Sequence, residues 1–176
     1  VAVLSGGVLT VVLARLLDPD SYGLLFLAIS VLGTVKLLSQ FGIAKSAARY
    51  IAEYKETNAG QLPHIIKFSF ILNFGTITVI CVGLLIGHEF LATVIGEPDL
   101  VPMLRIGVLF VIFSTLMWFV RTILQGLEAI KPAAIVHALD RGSRLVFAVG
   151  FVLLGYEAIG ALVGYILAST IAALFG

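Results

Sequence analysis

Charged side chains are scarce in this sequence: they make up 12% of its 176 residues, and the formal net charge is only +1. A chain so poor in charge does not have the composition of a soluble domain, and its near-zero balance gives no argument for nucleic-acid binding. The single cysteine, Cys81, excludes an internal disulfide. A zincin motif begins at His88-Glu89 but fails at Ala92, and no phosphate-binding glycine loop, nucleophile elbow or cofactor motif occurs. We therefore expect neither an enzyme nor a metalloprotein.

Apolar residues make up most of the chain: 60% of it is hydrophobic, and its mean hydropathy is +1.14. We identify six apolar stretches, most of them near the ~20 residues that cross a ~30 Å hydrocarbon layer. They cover residues 1–17, 24–46, 64–88, 102–124, 133–155 and 158–176. The sequence predicts an all-α integral membrane protein, one six-helix transmembrane bundle over 1–176. The abrupt ends, without an initiator methionine or a polar flank, lead us to expect part of a longer protein and no signal peptide in the first stretch.

Lysine and arginine are distributed unevenly between the links that join these stretches. The links after spans 2 and 4 carry six of them, Lys45, Arg49, Lys55, Lys67, Arg121 and Lys131. The opposite links carry two, Arg15 and Arg105, together with six acids, Asp18, Asp20, Glu89, Glu97, Asp99 and Glu157. Because cytoplasmic links are enriched in lysine and arginine, we expect the first set to be cytoplasmic. The N-terminus would then also be cytoplasmic, in a multi-pass protein of the plasma membrane.

Three cations, Lys36, Arg141 and Arg144, lie inside the apolar stretches. A charge at bilayer depth costs between ~3 and ~17 kcal/mol, so it needs a counter-ion, a water-filled cavity or an anionic ligand. In span 5, His137 and Asp140 share one helix face with both arginines, at positions i, i+3, i+4 and i+7. Asp140 can pair with Arg144, which leaves Arg141 uncompensated. This face is either a self-neutralising collar at headgroup level or a cationic patch that opens into a cavity.

Further polar residues accompany the cations. Lys36 lies near mid-depth of span 2 with Gln40 one turn below it, and a structural pair with Asp140 is the alternative to a role in a cavity. Asn73 belongs to a polar stripe on span 3, which is suited to hydrogen bonds between helices or to contact with sugar hydroxyls. Arg121, at the end of span 4, is expected to be an interfacial anchor.

Two glycine pairs have the spacing at which membrane helices approach closely. They are Gly83 with Gly87 in span 3 and Gly160 with Gly164 in span 6. Small residues four apart let two backbones come together, but glycine is also common in membrane helices without such a contact. Both interpretations are open for each pair.

The most specific pattern in the chain is the turn ARLLDPDSYG at residues 14–23, followed by a long apolar helix and the exit RYIAEYKE at residues 49–56. These segments resemble the N-terminal signature of prokaryotic polysaccharide-biosynthesis flippases, the Wzx-type exporters of the multidrug/oligosaccharidyl-lipid/polysaccharide superfamily. The stretch LQGLEAIKPAA at residues 124–134 is similar to that family's link between spans 4 and 5. Asp18 departs from the pattern, since the family usually has glycine there. The resemblance covers essentially the whole chain.

The resemblance implies a MATE-like transporter of two six-helix lobes around a central cavity, of which this chain would be the N-terminal lobe. It also implies that a lipid-linked oligosaccharide, with a phosphate or pyrophosphate on a polyprenol, moves from the inner to the outer leaflet. The expected partners are this anionic substrate, membrane lipids and the other lobe. The resemblance and the residues together predict substrate-binding cations, with polar residues that support them: Lys36, Arg141, Arg144 and Arg15, then Gln40, Asn73, His137 and Asp140.

Two other functions remain open from the sequence. A cation-coupled multidrug antiporter needs lone carboxylates inside the membrane, and the one deep acid, Asp140, is flanked by Arg141 and Arg144. That surrounding charge argues against an antiporter. A non-transporting membrane scaffold would use the polar stripes only to hold helices together.

Overall fold

The structure, a computed structural model, describes residues 2–40 and 42–175, and in these ranges the chain forms seven α-helices and no strand. The helices are α1 (Ala2–Leu16), α2 (Pro19–Gln40), α3 (Ile43–Thr57), α4 (Leu62–Ile95), α5 (Leu100–Gly126), α6 (Ile130–Phe151) and α7 (Glu157–Leu174). A 3₁₀ turn precedes α4, and a sharp turn in which Gly155 has a φ of 88° joins α6 to α7.

Six of these helices correspond to the six apolar stretches of the sequence. By length and hydropathy, α2, α4, α5 and a stretch of the residues that form α6 and α7 are able to cross a membrane, whereas α1 is a shorter apolar helix. The expectation of an all-α membrane bundle is therefore confirmed. The bundle core is formed by apolar side chains of α1, α2, α4, α5, α6 and α7, and the candidate site lies beside it.

The seventh helix, α3, lies in the segment that follows span 2. Span 2 was expected over 24–46, but α2 ends at Gln40, and Gly42 adopts a φ of 72° that a glycine tolerates without a steric penalty. After this turn α3 exposes Lys45 and Arg49. On its other face it buries a stripe against the end of α5, formed by Ala44, Ala47 and Ile51. Because only one side is apolar, α3 has the pattern of a helix that lies at the membrane surface.

The links between the helices meet at two ends of the bundle. The α1–α2, α4–α5 and α6–α7 links line one cavity of about 790 Å³, and its acidic side chains are Asp20, Glu97, Asp99 and Glu157. At the other end Lys55 of α3 pairs with Glu128 in the α5–α6 link, with Nζ 2.6 Å from Oε2. The division of the links into an acidic set and a basic set, expected from the sequence, thus corresponds to two ends of the fold.

One of the two glycine pairs makes a close helix contact. A Cβ on Gly164 would lie 2.5 Å from the Cα of Ala148, and one on Gly160 would lie within 3.2 Å of α6 backbone, so α6 and α7 pack together where these positions lack a side chain. A Cβ on Gly83 or Gly87 would meet nothing within 4 Å in the described part of the chain. The packing of α7 on α6 positions the polar residues of α6, which form the candidate site.

Candidate functional site

The guanidinium of Arg144 is contacted by side chains of α5, α6 and α7. Its Nε and Nη2 both lie 3.0 Å from Oδ1 of Asp140, and Nη2 also donates to Oγ of Ser169 on α7 at 3.2 Å. Aromatic rings cover it from two helices, with the Phe110 centroid at 5.8 Å and the Tyr165 centroid at 5.3 Å. The pair with Asp140 is the one that the spacing of four residues predicted. Its role is to neutralise a buried carboxylate and to join α6 to α5 and α7.

Lys36 on α2 approaches this pair but does not join it. It is half-buried, and its ammonium interacts electrostatically with Arg144, Asp140 and Arg141. Within the described part of the chain the ammonium makes no hydrogen bond or ion pair. The alternative in which Lys36 is a structural partner of Asp140 is therefore not observed in the described residues, where the ion-pair partner of Asp140 is Arg144.

Arg141 lies next to Arg144 on α6 and extends toward α1. Its Nη1 is 3.4 Å from the position that a Cβ on Gly6 would occupy, so the missing side chain of Gly6 makes room for the guanidinium. Its Nε is buried and has no hydrogen-bond partner among the described residues. A buried N–H of a cation without an acceptor is costly, and such a group is suited to bind an anion.

These three cations, together with Asp140, form what we call the cation cluster: Lys36, Asp140, Arg141 and Arg144. Three positive charges meet one carboxylate, so two positive charges remain uncompensated within the cluster. Because the cluster lies in the membrane-spanning part of α2 and α6, this excess charge is its main chemical property.

The other predicted site residues lie apart from the cluster or have no observed contact with it. Arg15 is exposed near the end of α1, nine residues from Gly6, which is about 13 Å along a helix. Gln40 is half-buried at the end of α2. Asn73 on α4 is fully buried, and neither atom of its amide has a hydrogen-bond partner in the part of the chain that the structure describes. Its expected hydrogen bond between helices is thus not observed.

His137 shares the face of α6 that carries the cluster, but its partner lies on α5. Nη1 of Arg121 donates to Nδ1 of His137 at 3.3 Å, since an arginine has no acceptor. The two side chains line a cavity of about 290 Å³. Sequence reasoning treated Arg121 as an interfacial anchor and missed this pair, although both residues carry polar side chains at the same end of adjacent spans.

Other buried polar contacts also escaped the sequence analysis. Oγ of Ser39 on α2 lies 3.3 Å from Oγ1 of Thr115 on α5, and both residues are fully buried. Nη2 of Arg105 lies 3.2 Å from Nε2 of His88, which joins α5 to α4 near the acidic end. Hydroxyl and imidazole groups occur throughout the apolar stretches, and the sequence contains no signal that says which of them meet.

The fold defines a multi-pass membrane protein, and the cluster places excess positive charge on two of its helices. The chain belongs to the family described as polysaccharide biosynthesis protein, whose sequence model matches residues 3–176. The resemblance noted from the sequence is thereby confirmed. The chain is also similar to the lipopolysaccharide biosynthesis protein WzxC of Escherichia coli (strain K12), with 32% identity over 94 residues. That match covers 53% of this chain and 18% of the relative, so the chain corresponds to a fraction of the relative's length. No solved structure matches significantly.

Proposed function

We propose that this chain is one lobe of a flippase that moves a polyprenyl-phosphate- or pyrophosphate-linked oligosaccharide from the inner to the outer leaflet. The observation that carries this proposal is the uncompensated charge of the cation cluster. Arg141 has a buried N–H without an acceptor, and Lys36 has no ion-pair partner in the described residues. A phosphate supplies the oxygens that both groups lack, and an arginine can hold it through two parallel hydrogen bonds.

The substrate class follows from the charge and from the family. The family is described by polysaccharide biosynthesis, so the proposed substrate is a glycan precursor, and a lipid on it would hold it at the membrane. A pyrophosphate diester carries two negative charges, which match the two positive charges left over in the cluster. The prenyl tail would stay in lipid while the head crosses between this lobe and a second lobe, by alternating access.

The orientation of the lobe is part of the proposal. The basic end, which holds Lys55 and Arg121, would face the cytoplasm, since cytoplasmic links are enriched in lysine and arginine. The acidic cavity lined by Asp20 and Glu157 would face outward. Arg15 is exposed near that end, where it would meet the anion after translocation or anchor the helix end.

The geometry around Asp140 favours a flippase over a cation-coupled antiporter. An antiporter needs a carboxylate that exchanges a proton or a sodium ion for its substrate. The Oδ1 of Asp140 already accepts from Arg144 at 3.0 Å and lies 3.4 Å from Oγ of Ser169, and the side chain is only 3% exposed. This carboxylate is engaged in the structure of the cluster.

The test is leaflet exchange of a fluorescent lipid-linked oligosaccharide in liposomes that contain the full-length protein. We expect Lys36→Met and Arg141→Met each to lower the rate at least about tenfold, because each removes a charge-assisted hydrogen bond. Lys45→Met is the matched control, since Lys45 is an exposed cation on α3. It should leave the rate within about twofold of the original.

Two further variants test the space beside Arg141 without altering the charge of the cluster. Gly6→Leu fills the space beside Nη1 of Arg141 without a change of charge, and it should slow exchange, whereas Gly7→Leu points into open space and should not. Undiminished exchange by the Lys36→Met/Arg141→Met double variant would contradict the proposal. A non-transporting scaffold would show no exchange in the original protein either, and the double variant would keep its stability.

A further inference from the structure

We propose that the pocket formed by Arg121 and His137 is a second anion site, which takes the phosphate group of the substrate before it reaches the cation cluster. This inference rests on the proposed function and adds a loading step to it. The shared chemistry is a phosphate ester, which a lipid-linked oligosaccharide and a bulk phospholipid both carry.

The pocket presents hydrogen-bond donors. It has a volume of about 290 Å³ and is lined by Arg121, Gln125, Ile130, Ala133, Ala134 and His137. Because Nδ1 of His137 accepts from Arg121 at 3.3 Å, the ring proton of the neutral imidazole is on Nε2 and is free to be donated. The remaining N–H groups of Arg121 and the amide of Gln125 add further donors. A small cavity with converging donors is suited to an anion.

The charge of Arg121 is not neutralised by a carboxylate within the described part of the chain. Glu128 lies in the adjoining link, but its Oε2 is 2.6 Å from Nζ of Lys55 and is occupied there. Arg121 is half-buried, whereas Lys131, the other cation near this link, is exposed. The contact with His137 fixes the guanidinium at the pocket and prevents it from extending freely into the headgroup region.

The pocket and the cation cluster lie along one strip of the bundle. On α6, His137 precedes Arg141 by four residues and Arg144 by seven, which corresponds to about 6 Å and about 10 Å along one helix face. On α5, Arg121 is eleven residues, or about three turns, from Phe110, so the two share a face. The ring of Phe110 covers Arg144. An anion that leaves the pocket therefore meets Arg141 about one helix turn further into the membrane.

Two sites in series suit transport better than one strong site. An anion moves through a passage when each site binds it well enough to accept it and weakly enough to release it. The pocket would accept the phosphate at the end of the bundle proposed to be cytoplasmic, and the cluster would hold it at depth. On this basis Arg121 determines how well substrate loads, and Arg141 determines how well it crosses.

The experiment measures binding of farnesyl pyrophosphate to the full-length protein in phosphatidylcholine nanodiscs, by titration calorimetry. Arg121→Gln should weaken this binding at least about tenfold. The matched control is Lys131→Gln, an exposed cation at the same end, and it should change the affinity less than about twofold. In the leaflet-exchange assay Arg121→Gln should raise KM with kcat nearly unchanged, whereas Arg141→Met should lower kcat.

The lipid composition of the nanodiscs distinguishes the two sources of phosphate, a lipid-linked oligosaccharide and a bulk phospholipid. With a tenth of the nanodisc lipid replaced by phosphatidylglycerol, the affinity for farnesyl pyrophosphate should stay the same. If phosphatidylglycerol competes with the probe and the competition depends on Arg121, the pocket is a headgroup anchor and the inference is wrong.

The remaining outcomes of these experiments also support or overturn the second anion site. Unchanged binding in Arg121→Gln overturns the loading site but leaves the proposed function intact when Arg141→Met still blocks exchange. Should Arg121→Gln show no cooperative melting, His137→Leu takes its place, because it removes the Nε2 donor and keeps the charge. Unaltered affinity in a folded His137→Leu protein would likewise overturn the inference. Loss of binding in Arg121→Gln without any exchange activity in the original protein would support the pocket and contradict the flippase.

Discussion

Replacing Asp140 by asparagine tests the architecture of the cation cluster most directly. Asp140 is 2% exposed and is the one carboxylate among three cations of the cluster. Removal of one partner of a buried ion pair costs about 3–5 kcal/mol, because the other charge is left buried without compensation. The side chain of Arg144 is 14% exposed, so water compensates little of its charge. We expect Asp140→Asn to lower the free energy of unfolding by an amount within that range.

The assay is thermal unfolding of the full-length protein in detergent micelles, as part of a double-mutant cycle. For a folding unit of 150–250 residues about 1 kcal/mol corresponds to roughly 2–4 °C in Tm, so Asp140→Asn should lower the Tm of the unfolding transition of this part of the protein by about 10 °C. Arg144→Met should cost less, because Lys36 still interacts favourably with the carboxylate of Asp140. The double variant should lose less than the sum of the two single losses, since removing both partners leaves neither charge of the pair buried without the other.

The control for this cycle is Asp20→Asn, which changes an exposed carboxylate at the end of α2 opposite to Lys36. It should leave Tm within about 1 °C. A shift below about 3 °C in Asp140→Asn would refute the reasoning. So would a double variant whose loss equals the sum of the two single losses, because additivity means that the two groups are not coupled.

Two further predictions concern helix packing and pH. Gly164→Val should lower Tm strongly, because its Cβ would lie 2.5 Å from the Cα of Ala148, whereas Gly83→Val should be tolerated; equal effects would contradict the packing of α6 on α7. The hydrogen bond and charge of Lys55 lower the pKa of Glu128 below its ordinary value of 4.5. The ion pair of Glu128 with Lys55 therefore stabilises the fold above about pH 4.5. This stabilisation is lost as pH falls through the lowered pKa of Glu128. The protection factors of amides in the α5–α6 link should fall over that interval, and Glu128→Gln should abolish the dependence; an unaltered profile in the variant would exclude the pair as its cause.

Hydropathy predicted the membrane-crossing helices because their length and apolar composition are local properties. The pair of Asp140 and Arg144 was predictable for the same reason, since both residues lie on one helix and the period of the helix brings them together. The helix α3 was missed because its amphipathic sequence is too polar for a membrane span. Its start depends on Gly42, a single residue that breaks α2 by its positive φ.

Contacts between helices were not predictable from one sequence. The partners of Arg144 on α7 and α5, Ser169 and Phe110, lie 25 and 34 residues away along the chain. Arg121 and His137 meet across the α5–α6 link because the two helices run back along each other. The glycine pairs show the same limit, since both have the spacing of a contact and, among the described residues, only the pair on α7 faces another helix. Spacing describes one helix, whereas contact depends on how two helices are rotated.

The presence of Asp140 among the cations has a physical consequence for transport. Without a carboxylate the cluster would hold three positive charges, and an anion with two negative charges would be bound by all of them in a medium of low dielectric constant. Such a site would accept the substrate and release it slowly. With Asp140 bonded to Arg144, the remaining excess matches a pyrophosphate, and Lys36 and Arg141 are the groups left to bind it. On the proposed function, the buried ion pair limits affinity so that the substrate can leave, while it also joins α6 to α7.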